Sequence, residues 1–186
     1  VFANPSNLVL VELLSDVQIR LGKTDDAIKT IQNSLSSVNE SDKISIANLL
    51  VSLGDIYAQA NRNDEAILTY EKALFSFGID KSLLTMDDER EFATKVFEKI
   101  IKTYKSAGQP NQVRATIERA RILLGKNDLF ADKQLISFLR ETGKKQDALQ
   151  TVRLSRKEFA DDYGLIRLEA TILTELGQVE EGVKII

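Results

Sequence analysis

Lys95, Lys99, Lys102 and Lys105 recur at intervals of four, three and three residues, the spacing that lines side chains along one side of a helix. Ammonium groups in such a stripe attract carboxylates and steer an acidic segment toward them. Taken singly, each lysine fits an ordinary solvated helix face equally well. The stripe falls in the one strongly basic part of the chain: residues 94–126 carry 8 Lys/Arg against 2 Asp/Glu, whereas residues 1–93 carry 8 against 15. Part of that excess (Arg114, Arg119 and Arg121) belongs to a second predicted helix. Among the acidic clusters, Asp25-Asp26 and Asp161-Asp162 read as helix-start and linking residues rather than catalytic pairs. Asp87-Asp88-Glu89 reads as a solvated helix N-terminus, because no glycine-bearing calcium loop surrounds it.

Catalysis has little to draw on. The 186 residues include no His and no Cys, which removes the commonest general base, the thiol nucleophile and the usual zinc ligands. Ser, Lys and carboxylates remain, in no nucleophile–base pattern. The expectation is therefore no catalytic residue, no metal and no cofactor. No apolar run approaches the roughly 20 residues of a membrane span, so a soluble chain is expected. The lack of Cys leaves cytoplasm and periplasm equally open.

The elements that must position these residues are helices. Two prolines stand against many Ala, Leu, Ile, Glu and Lys, a composition that favours helix over sheet. In residues 50–78, Leu50, Leu53, Gly54 and Tyr57 mark one helical face, and Ala66, Ile67, Tyr70, Ala73 and Leu74 mark the next. Asn63 is placed to cap the second helix. Helix, tight turn, helix is the unit. Gly54 and Ala66 are small where the helices approach, and Tyr57 and Tyr70 fill the space beside them.

Leu50-x2-Leu53-Gly54-x2-Tyr57, then Ala66-x3-Tyr70 and Ala73, resembles the tetratricopeptide repeat, with Leu50 in place of the usual Trp and Gly78 where proline is preferred. The frame recurs along the chain, giving expected repeats at 8–41, 47–80, 94–127, 129–162 and 163–186, the last incomplete. Residues 81–93 form an insertion. There Thr85 and Asp88 read as a capping-box variant for a long helix starting near Met86. Leu83, Leu84 and Met86 are expected to pack the loop onto the body. Ala3–Asn7, with Pro5, resembles the tail of a preceding repeat, and both ends read as cuts in a longer array.

The resemblance implies an all-α superhelix of antiparallel helix pairs, a single solenoid over 1–186, and a non-enzymatic scaffold that binds a peptide or protein segment in a concave groove. It also implies which residues line that groove on the first helix of each repeat: Glu12, Asp16, Asn48, Asp55, Gln59, Lys95, Lys102, Lys105, Lys133, Arg140 and Arg167, with Lys99 flanking. Relatives that grip acidic chaperone tails carry Lys and Asn at the places where Glu12 and Asp16 stand here, so that clamp is not expected in this stretch. The expected partner is a protein or peptide, acidic if the lysine stripe faces the groove. Self-association through the terminal repeats is a further expectation. The competing readings are an RNA-binding helical-repeat module, disfavoured by a pI near 5.2, and a substrate-holding or regulatory segment of a larger enzyme.

Overall fold

Short polar turns between amphipathic runs leave the chain one economical solution, which is to fold each pair of helices back on itself. A computed structural model describes residues 8–80 and 82–186. The readings made of Ala3–Asn7, Pro5 and Lys81 lie outside the described residues. Within the described residues there are ten helices and no strand: α1 (Leu8–Arg20), α2 (Thr24–Leu35), α3 (Lys43–Gln59), α4 (Asn63–Phe77), α5 (Asp87–Ser106), α6 (Pro110–Leu124), α7 (Phe130–Glu141), α8 (Lys145–Glu158), α9 (Tyr163–Glu175) and α10 (Val179–Ile185). The chain divides into two compact units, residues 1–116 and 117–186.

In the first unit α1 packs on α2 and α3 on α4, while α1, α3 and α5 lie side by side in that order. Buried Ala27, Ala47, Ala66, Ala73 and Ala93 allow close helix approach, and Ile31, Leu49, Leu74, Phe97 and Ile100 fill the spaces between. In the second unit Ile136, Leu139, Ala148, Leu149, Val152, Leu165, Ile172 and Leu173 form one cluster between the α7/α8 and α9/α10 pairs.

The turns repeat a single geometry. The N–H groups of Lys23, Arg62, Gln109, Lys144 and Gln178 each reach back five residues, to the carbonyls of Gln18, Tyr57, Tyr104, Leu139 and Leu173. That bond requires a left-handed residue just before the donor. Glycine supplies it at 22, 108, 143 and 177, and Asn61 does so with φ 58°.

Three local expectations are corrected. Asn63 is the first helical residue of α4 rather than its cap; Arg62 occupies the cap without a side-chain bond, lies over the Tyr57 ring at 4.6 Å and pairs with Glu65. Thr85 and Asp88 form no capping box, since Met86 is the cap of α5 and the Asp88 carboxylate accepts the adjacent Glu89 N–H at 2.9 Å. Of Leu83, Leu84 and Met86 only Leu84 is buried, while the other two are each 59% exposed. The segment is held instead by Phe77 and Phe92, whose rings stack at 4.1 Å.

The tightest contact lies between α3 and α4. A Cβ on Gly54 would stand 2.5 Å from Cε1 and 2.6 Å from Cδ1 of the Tyr70 ring, and that ring is itself 1% exposed. Replacing a mid-helix glycine by alanine normally stabilises a helix by about 1 kcal/mol. Here Gly54→Ala should instead destabilise by about 1–3 kcal/mol through overpacking, read as a lower melting temperature by circular dichroism. A stabilised variant would show that the approach is not tight.

Candidate functional site

In the first unit the expected groove residues come from α1, α3 and α5. Tyr70 on α4 was read from sequence as a space filler, yet its phenol also donates a 2.7 Å hydrogen bond to Asp55 Oδ1 on α3. The Lys99 ammonium of α5 donates to both oxygens of the same carboxylate, at 2.7 and 2.8 Å. Asp55 therefore ties three helices together. Burial pushes the Tyr70 phenol well above its ordinary value, and the Asp55 charge and hydrogen bond add to that, so the donor keeps its proton at any ordinary pH.

This node forms one wall of a cleft of about 360 Å³, lined also by Ala58, Gln59, Asn63, Lys102, Thr103 and Ser106. Lys95 and Lys102 are exposed and have no ion pair among the described residues. Lys105 is half-buried and engaged elsewhere. On α1, Glu12 accepts a 3.0 Å bond from the Ser52 hydroxyl of α3, and Asp16 pairs with Arg20 at 2.8 Å. The expected stripe is thus not a set of four equivalent cations, because Lys99 is neutralised by Asp55.

In the second unit the predicted cations are likewise partnered. Lys133 reaches Asp162 at 3.2 Å, Arg140 pairs with Glu175, and Arg167 lies 6.0 Å from the Tyr163 ring. Two networks were not anticipated. Glu169 on α9 is only 4% exposed and holds both Arg153, at 2.9 Å, and Arg156 of α8. Asp132 accepts from Arg121 and, at 2.7 Å, from the Ser155 hydroxyl. The available signal was the i, i+3 spacing of Arg153 and Arg156, which puts both guanidinium groups on one helix face. Among the described residues no group of three or more Asp or Glu side chains is placed to hold a metal ion, and no helix is long and apolar enough to cross a membrane.

Residues 7–74 match the tetratricopeptide repeat family. The match spans α1 to α3 and most of α4. Tetratricopeptide repeat proteins bind protein or peptide partners, and their fold is generally a scaffold for protein–protein interaction. No curated protein matches the sequence. The described helices resemble in fold those of solved tetratricopeptide repeat proteins. The chain is similar to a tetratricopeptide repeat protein from Parabacteroides merdae (TM-score 0.58, 16% identity, 98% of this chain and 64% of that one). It is also similar to nearly identical TPR-like repeats from Podosopora anserina (TM-score 0.61, 14% identity, 98% and 93%) and to the MamA protein (TM-score 0.54, 14% identity, 96% and 87%). The chain therefore spans slightly less than two thirds of the first of these relatives.

The charge pairs of these repeats give their stability a definite pH dependence. The Arg140 hydrogen bond holds the Glu175 carboxyl below its usual 4.5, against a smaller opposing effect of burial. At Asp162 burial would raise the value, but the Leu165 N–H and Lys133 outweigh it and the net shift is downward from 3.8. Both carboxyls bind protons less readily in the folded chain. Their contribution is present above those ordinary values and is lost as pH falls through the lowered ones. Melting curves from neutral pH down to about pH 3 should show the loss. Glu175→Gln should be the less stable protein at neutral pH and converge on the parent in acid; parallel curves at every pH would remove the pair from the account.

Proposed function

We propose that the chain is a protein–protein interaction scaffold whose first-helix face in residues 8–106 receives an acidic segment of a partner. The observation that carries this reading is the state of the charges around the α3/α4/α5 cleft. Asp55 is neutralised by Lys99 and hydrogen-bonded by Tyr70, so the carboxylate nearest the cleft does not repel an incoming acid. Lys95 and Lys102 are left on the exposed side of α5, where they supply attraction and on-rate. Gln59 and Asn63 add amide groups at the same cleft, suited to backbone or carboxylate oxygens. The family's general role as an interaction scaffold supports the same reading. A nucleic-acid module has less support, since Lys99 and Arg121 of the basic centre are taken by Asp55 and Asp132.

The test is a titration of fluorescein-labelled peptides by anisotropy, one rich in Asp and Glu and one with Asn and Gln in their place. The acidic peptide should bind, with affinity falling as salt rises. Lys95→Glu with Lys102→Glu should weaken it by about tenfold or more, while circular dichroism shows the fold intact. Equal binding of both peptides, or no effect of the double variant, would contradict the proposal.

A further inference from the structure

Helix α1 is apolar on two sides. Val11 is buried in the first unit together with Ser15. On the other side Val9, Leu13, Val17 and Leu21 recur every four residues and stand between 44% and 73% exposed, with Leu10 beside them. A helix that is apolar all round belongs in a buried position. The second helix of the same hairpin shows the contrast, because the exposed residues of α2 are Asp25, Asp26, Lys29, Gln32 and Asn33. Neighbouring apolar side chains along one side of a helix form the kind of patch that marks an interaction surface.

The order of charge along this stripe points to its occupant. Glu12, Asp16 and Arg20 follow one another at intervals of four along a single edge of it, acids toward the start of the helix and base toward its end. In an antiparallel pair of identical helices the same edge of each comes together, running in opposite directions. Glu12 then faces Arg20 of the second copy, and Arg20 faces Glu12 of the second copy. The same register lets the apolar ridges interdigitate, with Leu13 seated between Val17 and Leu21 of the second copy. In a parallel pair the charged edge would instead meet uncharged Leu14 and Gln18. The antiparallel pairing needs no unpartnered charge. Asp16, beside the axis, is already paired with Arg20 at 2.8 Å. Glu12 accepts a 3.0 Å bond from the Ser52 hydroxyl, which leaves its charge uncompensated. A guanidinium with five donors can hold one carboxylate of its own helix and another across the axis.

We propose that α1 is a self-association surface: two copies of the chain pair their α1 helices antiparallel about a two-fold axis beside Asp16. Such a contact is isologous, each copy giving and receiving the same interactions. One pair of 13-residue helices falls below the roughly 1,200 Å² at which stable interfaces begin, so the dimer forms and dissociates with concentration. The contact uses none of Gln59, Asn63, Lys95 and Lys102. Pairing presents two acidic-segment sites at once, which raises the avidity for a partner with repeated acidic segments. That consequence rests on the function proposed above; the contact itself does not.

The test is sedimentation equilibrium of the chain at loading concentrations from about 1 to 200 μM. The apparent mass should rise with concentration from 20.8 kDa toward twice that value. Leu13→Glu puts a carboxylate into the apolar seam and should weaken association by about tenfold or more, with helicity unchanged by circular dichroism. Glu12→Arg and Arg20→Glu each set like charges across the axis, and each should weaken association by about tenfold. Mixed in equal amounts, those two variants should associate as strongly as the parent, because each then meets opposite charge. Val183→Glu, at an exposed position of α10, should change nothing. A monomer at every concentration, parent-like association of Leu13→Glu, or a mixture no stronger than its components would overturn the proposal. If Leu13→Glu loses helicity, the charge-exchange mixture decides alone. Loss of association in Val183→Glu would move the contact to α10 and overturn it as well. No peptide enters these measurements, so failure of the acidic-segment site would leave their result untouched.

Discussion

The first unit depends on one close approach, that of Gly54 on α3 to the ring of Tyr70 on α4. Because position 54 has no side chain, the ring lies flush against the α3 backbone and its phenol reaches Asp55 one residue further on. Asp55 in turn holds Lys99 at 2.7 Å, which fixes α5 beside α3. A steric fact about a glycine thus becomes an electrostatic fact about the neighbouring helix. The cost of partly burying a carboxylate is offset by two donors of complementary chemistry, a phenol that keeps its proton and an ammonium group.

The same arrangement sets the charge of the first-helix face. Had Asp55 been unpaired, the cleft between α3, α4 and α5 would present mixed charge. With Asp55 and Lys99 engaged, the local balance tips toward the exposed lysines of α5. In the second unit the pairing is more thorough: Lys133, Arg140, Arg153 and Arg156 all meet carboxylates of the next hairpin. Those cations act as ties between consecutive hairpins, a role that repeat proteins require because each repeat is supported chiefly by its neighbours.

Much of the fold was legible before any coordinates. The apolar spacing of Leu50, Leu53 and Tyr57 and of Ala66, Tyr70 and Ala73 reports a helical face directly, and the turn residues sit between the periodic runs. What was not legible had two physical origins. Capping depends on a local choice between competing hydrogen bonds, so Asn63 and the Thr85–Asp88 pair looked like caps while Arg62 and Met86 took those places. Charge pairing depends on contacts between residues distant in sequence. Asp55 and Lys99 are 44 residues apart, and no helical periodicity could join them. Glu169 shows the limit most clearly: its type says surface, and only the two arginines on α8 explain its burial.

The measurement that bears most directly on this account is a double-mutant cycle between Tyr70→Phe and Lys99→Met, read by denaturant unfolding. The two side chains lie on different helices and are joined through the Asp55 carboxylate. If that carboxylate organises the three helices, the effects of the two substitutions should be coupled by about 0.5–3 kcal/mol. Additivity within about 0.3–0.5 kcal/mol would mean that the phenol and the ammonium group act independently, and the node would lose its central place.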